Sequence, residues 1–314
     1  MSRKVTVIGA GNVGATVADV LAKKNIVSDI VLLDIKPGLA EGKALDIWES
    51  SHINYFDTRV TGVTDDYSKT ANSDVVVITS GIPRRPGMSR DDLIGTNAKI
   101  VKSVAEKAYE YSPDAIFIVV SNPLDVMTYT AYLTTGLPRE RVFGMAGVLD
   151  TARFIAFIAE ELKVSPKDVT ALLMGGHGDT MVPLPRYTTV AGIPLTELMD
   201  AETIDRLVKR TQKGGGEIVQ LLGTSAWYAP GASVAQMVEA VIVDSHRVMP
   251  VCVMLDGEYG LKDVALGVPV KLGKNGIEKV IEVDLNEDEK ALLYKSYEHV
   301  REVMKVLDDM KLFD

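Results

Sequence analysis

The chain has one cysteine, four histidines and two tryptophans among 314 residues, and aromatic side chains make up only 6% of it. With Cys252 alone there is neither an intrachain disulfide nor a CxxC pair of the kind that holds structural zinc. Lodged in the apolar stretch VMPVCVML, it reads as a buried, inert thiol. Basic charge is short as well: 34 Lys and Arg against 43 Asp and Glu leave a formal net charge of −9. That balance excludes a broad nucleic-acid footprint or an anionic-membrane surface, both of which need clustered Lys and Arg, and points to a small-molecule partner. No uncharged apolar run reaches the roughly 18 residues of a membrane span. MSRKVTVIG enters a strand pattern at once, so the expectation is a cytoplasmic protein with no membrane association. Repeats and low-complexity tracts are also missing.

What is present is an ordinary globular composition, 46% apolar and 25% charged. A length of 314 residues exceeds the usual single domain of about 100–200, so two domains are expected. The first half alternates β-branched runs (KVTVIGA, IVLLDI, RVTGV, DVVVITSG, AIFIVVSN, RVFGMA) with helical patterns such as residues 15–24 and 97–111. Unbroken apolar runs, rather than in/out alternation, mark strands covered on both faces. The expected fold is therefore α/β: a Rossmann-type doubly wound parallel sheet over residues 1–145, binding ligands beyond the carboxyl ends of its strands. Near residue 145 the texture changes. VLDTARFIAFIAEELKV reads as a helix with Asp150 as its N-cap. TTVAGIPL and VPVKLGKNGIEKVIEV read as strand pieces, with Asn275-Gly276 as a hairpin signal. Long helices are expected near 201–222 and 286–309, the second opening on NEDE as a cap and acidic first turn. Residues 146–314 are thus expected to form an α+β catalytic, or substrate, domain.

VTVIGAGNVGAT sets Gly9, Gly11 and Gly14 after a strand and before a helix, and Asp34 closes the next strand. Such glycines allow a tight turn, close backbone approach to a pyrophosphate and close helix-on-strand packing, while the helix N-terminus attracts the phosphates. An acidic side chain at 34 suits ribose hydroxyls and repels a 2′-phosphate, which favours NAD over NADP. A mononucleotide P-loop would need a lysine where Ala15 stands, and a simple tight turn is the plainer alternative.

MGGHGDT places His177 between glycines just after VTALLM, which reads as a strand. It is either a hydrogen-bonded core histidine or, since glycines leave the imidazole approachable, a general acid or base. LDTAR sets Asp150 and Arg153 three apart, as a cap and a helix-face charge, or as a carboxylate that fixes a histidine tautomer beside a guanidinium that grips an anion. VSNP puts Asn122 at a strand's carboxyl end, as a turn former or a ligand contact. GIPRRPGMSR carries Arg84, Arg85 and Arg90 on a loop, either solvated or on a lid that closes over a small acid.

Together, GAGNVG, LLDI, IPRRPGMSRDDL, VVSNPLDVMTY, GMAGVLDTARF, MGGHGDTMVPL, SAWYAPG and GVPVKLGKNG resemble malate dehydrogenases of the lactate-dehydrogenase-like type, from about Lys4 to the C-terminal helix. The resemblance implies the reaction (S)-malate + NAD⁺ to oxaloacetate + NADH + H⁺, a place in the tricarboxylic acid cycle, and a homo-oligomer, tetrameric or dimeric. It implies that His177 donates and accepts the proton with Asp150 orienting it, that Arg153 grips the carboxylate beside the reacting carbon, that Arg90 polarises the carbonyl, and that Asn122 contacts the substrate oxygen. Gly9, Gly11, Asn12, Val13, Gly14 and Asp34 would hold the cofactor, with Asn97, Val120, Ser121 and Asn122 on the nicotinamide side. No metal is implied.

In that family the position of Arg84 separates substrates, glutamine going with the methyl of pyruvate and arginine with the second carboxylate of oxaloacetate. A desolvated guanidinium without a carboxylate is costly, so Arg84 should select dicarboxylates. Arg85 reads as a solvated charge. Ile155 stands where many relatives carry a second basic residue, so regulation by a sugar bisphosphate is not expected. GTSAWYAPG departs from the commoner family wording in setting Trp227 beside Tyr228, while Ala226 remains a small residue that helps admit a larger substrate. The alternatives are a lactate or other 2-hydroxyacid dehydrogenase, against which Arg84 speaks, and a non-catalytic NAD-binding protein, which leaves His177, Asp150 and Arg153 unexplained. A short-chain dehydrogenase would need YxxxK, and none of the eleven tyrosines has a lysine four positions later.

Overall fold

The computed structural model describes residues 3–83 and 89–313. The first half consists of β1 (Lys4–Ile8), α1 (Asn12–Lys24), β2 (Asp29–Asp34), α2 (Leu39–Glu49), α3 (Ser51–Asn54), β3 (Arg59–Thr64), β4 (Val75–Ile78), α4 (Arg90–Tyr111), β5 (Ile116–Val119), α5 (Leu124–Thr135) and β6 (Val142–Gly144). All six expected strands form, and they pair in parallel in the order β3-β2-β1-β4-β5-β6. The winding reverses between β1 and β4, which opens a crevice beyond their carboxyl ends. Every residue of β4 and β5 is buried, the physical reason their sequences are unbroken apolar runs. Helix α1 buries Val17, Ala18, Leu21 and Ala22 on one stripe and ends at Asn25 in the left-handed conformation, after Lys23 and Lys24.

The second half continues with α6 (Gly147–Leu162), β7 (Val169–Thr170), β8 (Leu173–Gly175), β9 (Met181–Pro183), β10 (Thr189–Val190), β11 (Ile193–Pro194), α7 (Leu195–Leu198), α8 (Ala201–Leu222), α9 (Tyr228–Ile242), β12 (Arg247–Asp256), β13 (Lys262–Gly273), β14 (Gly276–Val280) and α10 (Glu287–Asp309). Strand β12 lies antiparallel to β6, with Cys252 opposite Gly144, so the sheet runs on through β12-β13-β8-β9 with β14 beside β13. A separate small sheet holds β11-β10-β7. The expected long helices are present, and α10 opens on a capping box between Asn286 and Glu289. The expected hairpin joins β13 to β14. Cys252 is fully buried, and burial pushes its thiol well above the ordinary value, as suits an inert core side chain.

Three details differ from the sequence expectations. Asp150 does not cap α6: Ala146 does, without a side-chain hydrogen bond, and Asp150 lies inside the first turn with its carboxylate engaged elsewhere. VTALLM is not one strand but splits into β7 and β8, which serve different sheets. Helix α9 had no expectation, because it is apolar nearly all round and shows no stripe to read. No helix among the described residues is long and apolar enough to cross a membrane.

Candidate active site

The glycine turn after β1 is built for close approach. Gly9 has φ +106°, and a Cβ there would lie 2.6 Å from Thr79 Oγ1. A Cβ at Gly14 would lie 1.9 Å from the Gly9 carbonyl oxygen, so no side chain fits where α1 crosses the turn. At Gly11 nothing lies within 4 Å, leaving open space at the N-terminus of α1. Gly11 is the N-cap and no side chain caps this helix, so its first-turn N–H groups are free to meet an anion. Asp34 accepts hydrogen bonds from the Ala10 N–H at 2.7 Å and the Lys36 N–H at 2.9 Å, which pins the end of β2 against the turn. Each carboxylate oxygen keeps a lone pair for a hydroxyl. Open helix N-terminus and adjacent carboxylate together fit a dinucleotide. Asn12 is exposed at the start of α1, and Val13 lines the crevice beyond it.

That crevice has a volume of about 770 Å³ and extends from Val13 and Val120 past Asn122 to Arg153 and His177, with Gly215 and Gly216 of α8 also in its wall. Asp150, only 2% exposed, sits beneath His177 and Arg153. Its Oδ2 is 3.0 Å from His177 Nδ1, and its Oδ1 is 3.4 Å from Arg153 Nη1. A carboxylate only accepts, so Nδ1 donates and the neutral ring presents Nε2 as its proton acceptor. Burial works against a charged His177, but the Asp150 charge and hydrogen bond, with Asp125 behind them, outweigh it and hold the pKa above the ordinary 6.5.

Arg153 keeps 13% of its side chain exposed, and its Nε is buried without a hydrogen-bond partner among the described residues. Burial lowers its pKa despite Asp150. A nearly buried guanidinium with one long contact is a charge awaiting an anion.

The ends of β4 and β5 are tied together at the crevice floor. Ser121 donates to the Ser80 carbonyl at 2.5 Å. Asn97, 1% exposed, accepts from the Ile82 N–H and donates to the Ile82 and Asn122 carbonyls. Both donors of its amide are therefore spent on backbone, so Asn97 braces the crevice while Asn122 is exposed in it. The Asn122–Pro123 peptide is cis. Arg90 is the first residue of α4, and its Nη2 lies 3.0 Å from His299 Nε2. A cavity of about 150 Å³ behind the crevice is lined by Arg90, Asn122, His177 and His299 together. Arg84 and Arg85 lie outside the described residues.

Two neighbours of the site carried no sequence expectation. Asp125 accepts from the His177 backbone N–H at 3.1 Å, and His299 meets Arg90 from α10. Asp125 stands in an otherwise apolar helix opening, LDVM, and that polar interruption was the available signal. His299 had none, for the contact spans 209 positions.

A doubly wound sheet with an open glycine cradle, facing a buried carboxylate–imidazole pair and a waiting guanidinium, defines a nicotinamide-dinucleotide-linked dehydrogenase. Residues 3–144 match the lactate/malate dehydrogenase NAD-binding domain, and residues 147–310 match the lactate/malate dehydrogenase alpha/beta C-terminal domain. The chain belongs to the lactate/malate dehydrogenase family. It is 66% identical over 307 residues to the malate dehydrogenase of Cytophaga hutchinsonii, covering 98% of each chain. The solved malate dehydrogenase of Salinibacter ruber superposes with a TM-score of 0.94 at 58% identity, covering 98% of both chains. A lactate dehydrogenase from Cryptosporidium parvum, solved with lactic acid and nicotinamide adenine dinucleotide, superposes with a TM-score of 0.94 at 41% identity over 98% of both chains.

Proposed function

We propose that this chain is an NAD-dependent malate dehydrogenase that interconverts (S)-malate and oxaloacetate. The observation that carries the reading is Asp150, one buried carboxylate holding both His177 and Arg153 at the crevice wall, 3.0 and 3.4 Å away. The identities with curated malate dehydrogenases support the choice of substrate within the family. NAD, when bound, supplies the hydride acceptor at the nicotinamide. Gly9, Gly11, Asn12, Val13, Gly14 and Asp34 would hold its adenosine and pyrophosphate, and Asn97, Val120, Ser121 and Asn122 would shape the nicotinamide end.

The chain's own groups divide the remaining work. Arg153 pairs through its terminal guanidinium nitrogens with the carboxylate next to C2, which fixes the substrate's orientation. His177 Nε2 takes the hydroxyl proton during malate oxidation and returns it during reduction, and the Asp150 charge stabilises the imidazolium between. Arg90 supplies positive charge to the oxygen on C2, and Asn122 a hydrogen bond. Arg84 pairs with the far carboxylate and so rejects pyruvate.

We divide the chain at 145/146 into a cofactor domain and a catalytic domain, and read it as a cytoplasmic enzyme of the tricarboxylic acid cycle that works as a homotetramer or dimer. Assembly is supported by Tyr228, 72% exposed, in the wall of a groove of about 550 Å³ between α1, α2 and the start of α9 that Val20, Ile47 and Trp227 also line. Light scattering tests that part. The function is tested by NADH oxidation with oxaloacetate and with pyruvate, in the natural chain and in Arg84→Gln. Preference for oxaloacetate by several orders of magnitude, collapsing in the variant, is expected; preference for pyruvate refutes the substrate. His177→Asn should lose most of kcat while binding NADH, and near-normal turnover would overturn the acid/base assignment.

A further inference from the structure

We propose that Asp125 is a second carboxylate of the acid/base centre, a positioning residue that holds the main chain of His177 and stabilises its protonated ring. The inference rests on the malate dehydrogenase reading and adds a residue to it. Asp125 is the second residue of α5, directly beyond the crevice-lining Asn122, and it is 8% exposed. Its Oδ2 accepts the His177 N–H at 3.1 Å. Its Oδ1 is buried and makes no well-formed hydrogen bond among the described residues, the Cys252 thiol, a weak donor, being the group that faces the carboxyl from β12.

A carboxylate oxygen in the interior offered only a weak thiol donor is expensive, and a protein built for stability alone would put an apolar side chain there. The approach to His177 is also bought by sequence at a neighbouring position. A Cβ at Gly176 would lie 3.4 Å from Asp125 Oδ2, and would run into Val300 Cγ2 at 2.7 Å and Thr180 Oγ1 at 2.9 Å. Glycine at 176 is thus required by α10 and Thr180, and the segment it leads into brings the His177 N–H onto Asp125.

His177 is therefore gripped by two carboxylates on two elements, Asp150 of α6 at ring Nδ1 and Asp125 of α5 at the backbone N–H. The groups facing Asp125 are His177 and Asp150, Cys252 from β12, and across the 150 Å³ cavity Arg90 from α4 and His299 from α10. Burial raises the Asp125 carboxyl to about 6, with His177 pulling the other way. The two groups thus titrate as a coupled pair: a charged His177 keeps Asp125 ionised, and an ionised Asp125 favours the charged His177. A simple helix-dipole role for Asp125 in the first turn of α5 would not need this pairing.

Asp125→Asn separates charge from structure, because its amide oxygen can still accept the His177 N–H in nearly the same volume. Relative to the natural chain, the pH at which malate oxidation rises should move down by roughly half to one pH unit. Oxaloacetate reduction above that pH should fall about three- to tenfold, with NADH affinity unchanged. If the natural chain turns over oxaloacetate but the variant's pH profile coincides with it, the inference fails while the function stands; if the natural chain has no turnover, the function itself fails. A second measurement avoids dependence on that variant's folding. Infrared difference spectra of the natural chain should show a buried carboxylic acid titrating near 6, and His177→Asn should move that titration to higher pH. Absence of such a band, or no response to His177→Asn, overturns the proposal.

Discussion

Arg90 and His299 stand 209 positions apart and meet at 3.0 Å, Nη2 to Nε2, joining the start of α4 to the middle of α10. A guanidinium only donates, so His299 Nε2 accepts and its ring hydrogen sits on Nδ1. Arg90 is itself exposed, and a long exposed side chain must lose rotamer entropy before it can act at one place. A fixed acceptor settles part of that cost in advance. His299→Leu should therefore lower kcat for oxaloacetate reduction about three- to tenfold without changing NADH affinity. His299→Gln, whose amide oxygen can also accept, should retain most of the rate. Steady-state kinetics on both variants decide the matter, and an unchanged kcat in His299→Leu would rule out this positioning.

The raised pKa of His177 fixes the sign of the pH dependence. Malate oxidation needs the neutral ring, so its rate should climb as pH rises through a value above 6.5, while oxaloacetate reduction needs the imidazolium and should decline over the same window. Stability follows the same sign: the gain from the His177–Asp150 pair is complete below the ordinary histidine value and is lost as pH rises through the raised one. Asp150→Asn removes the charge that opposes burial. The transition should then move to lower pH, and kcat should fall on the order of a hundredfold or more as the ring loses its fixed tautomer. Rate profiles in both directions check this, and superimposable profiles would contradict it.

Local chemistry made the cofactor half legible. Parallel strands buried on both faces must be apolar throughout, and Gly9 and Gly14 must be glycine where a Cβ would meet Thr79 or the turn itself. The His177, Asp150 and Arg153 cluster was legible as residue types, and Asp150 carried two readings, a cap and a carboxylate orienting a histidine, of which only the second matches its contacts. An aspartate in the first turn of a helix has the same sequence signature whether it caps the backbone or turns inward to an imidazole. Asp125 and His299 were hidden because their partners come from elements 52 and 209 positions away. Helix α9 was hidden for the opposite reason, since a helix buried on nearly every side has no periodicity.

Helix α8 carries three consecutive glycines, 214 to 216, although each costs roughly 0.5–1 kcal/mol relative to alanine in a helix interior. They do not stand in equivalent surroundings. A Cβ at Gly214 would lie 3.2 Å from Arg153 Cδ, whereas at Gly216 nothing lies within 4 Å. Gly216→Ala should accordingly stabilise the protein by roughly 0.5–1 kcal/mol, read as a higher urea midpoint. Gly214→Ala should gain less, because the new methyl pushes Arg153 off its seat beside Asp150. Its KM for oxaloacetate should rise about three- to tenfold with NADH affinity intact, the mark of a displaced carboxylate anchor rather than a damaged cofactor site. If Gly214→Ala instead matches Gly216→Ala in stability and leaves KM unchanged, Arg153 has room to yield, and the glycine at 214 is not what sets its position.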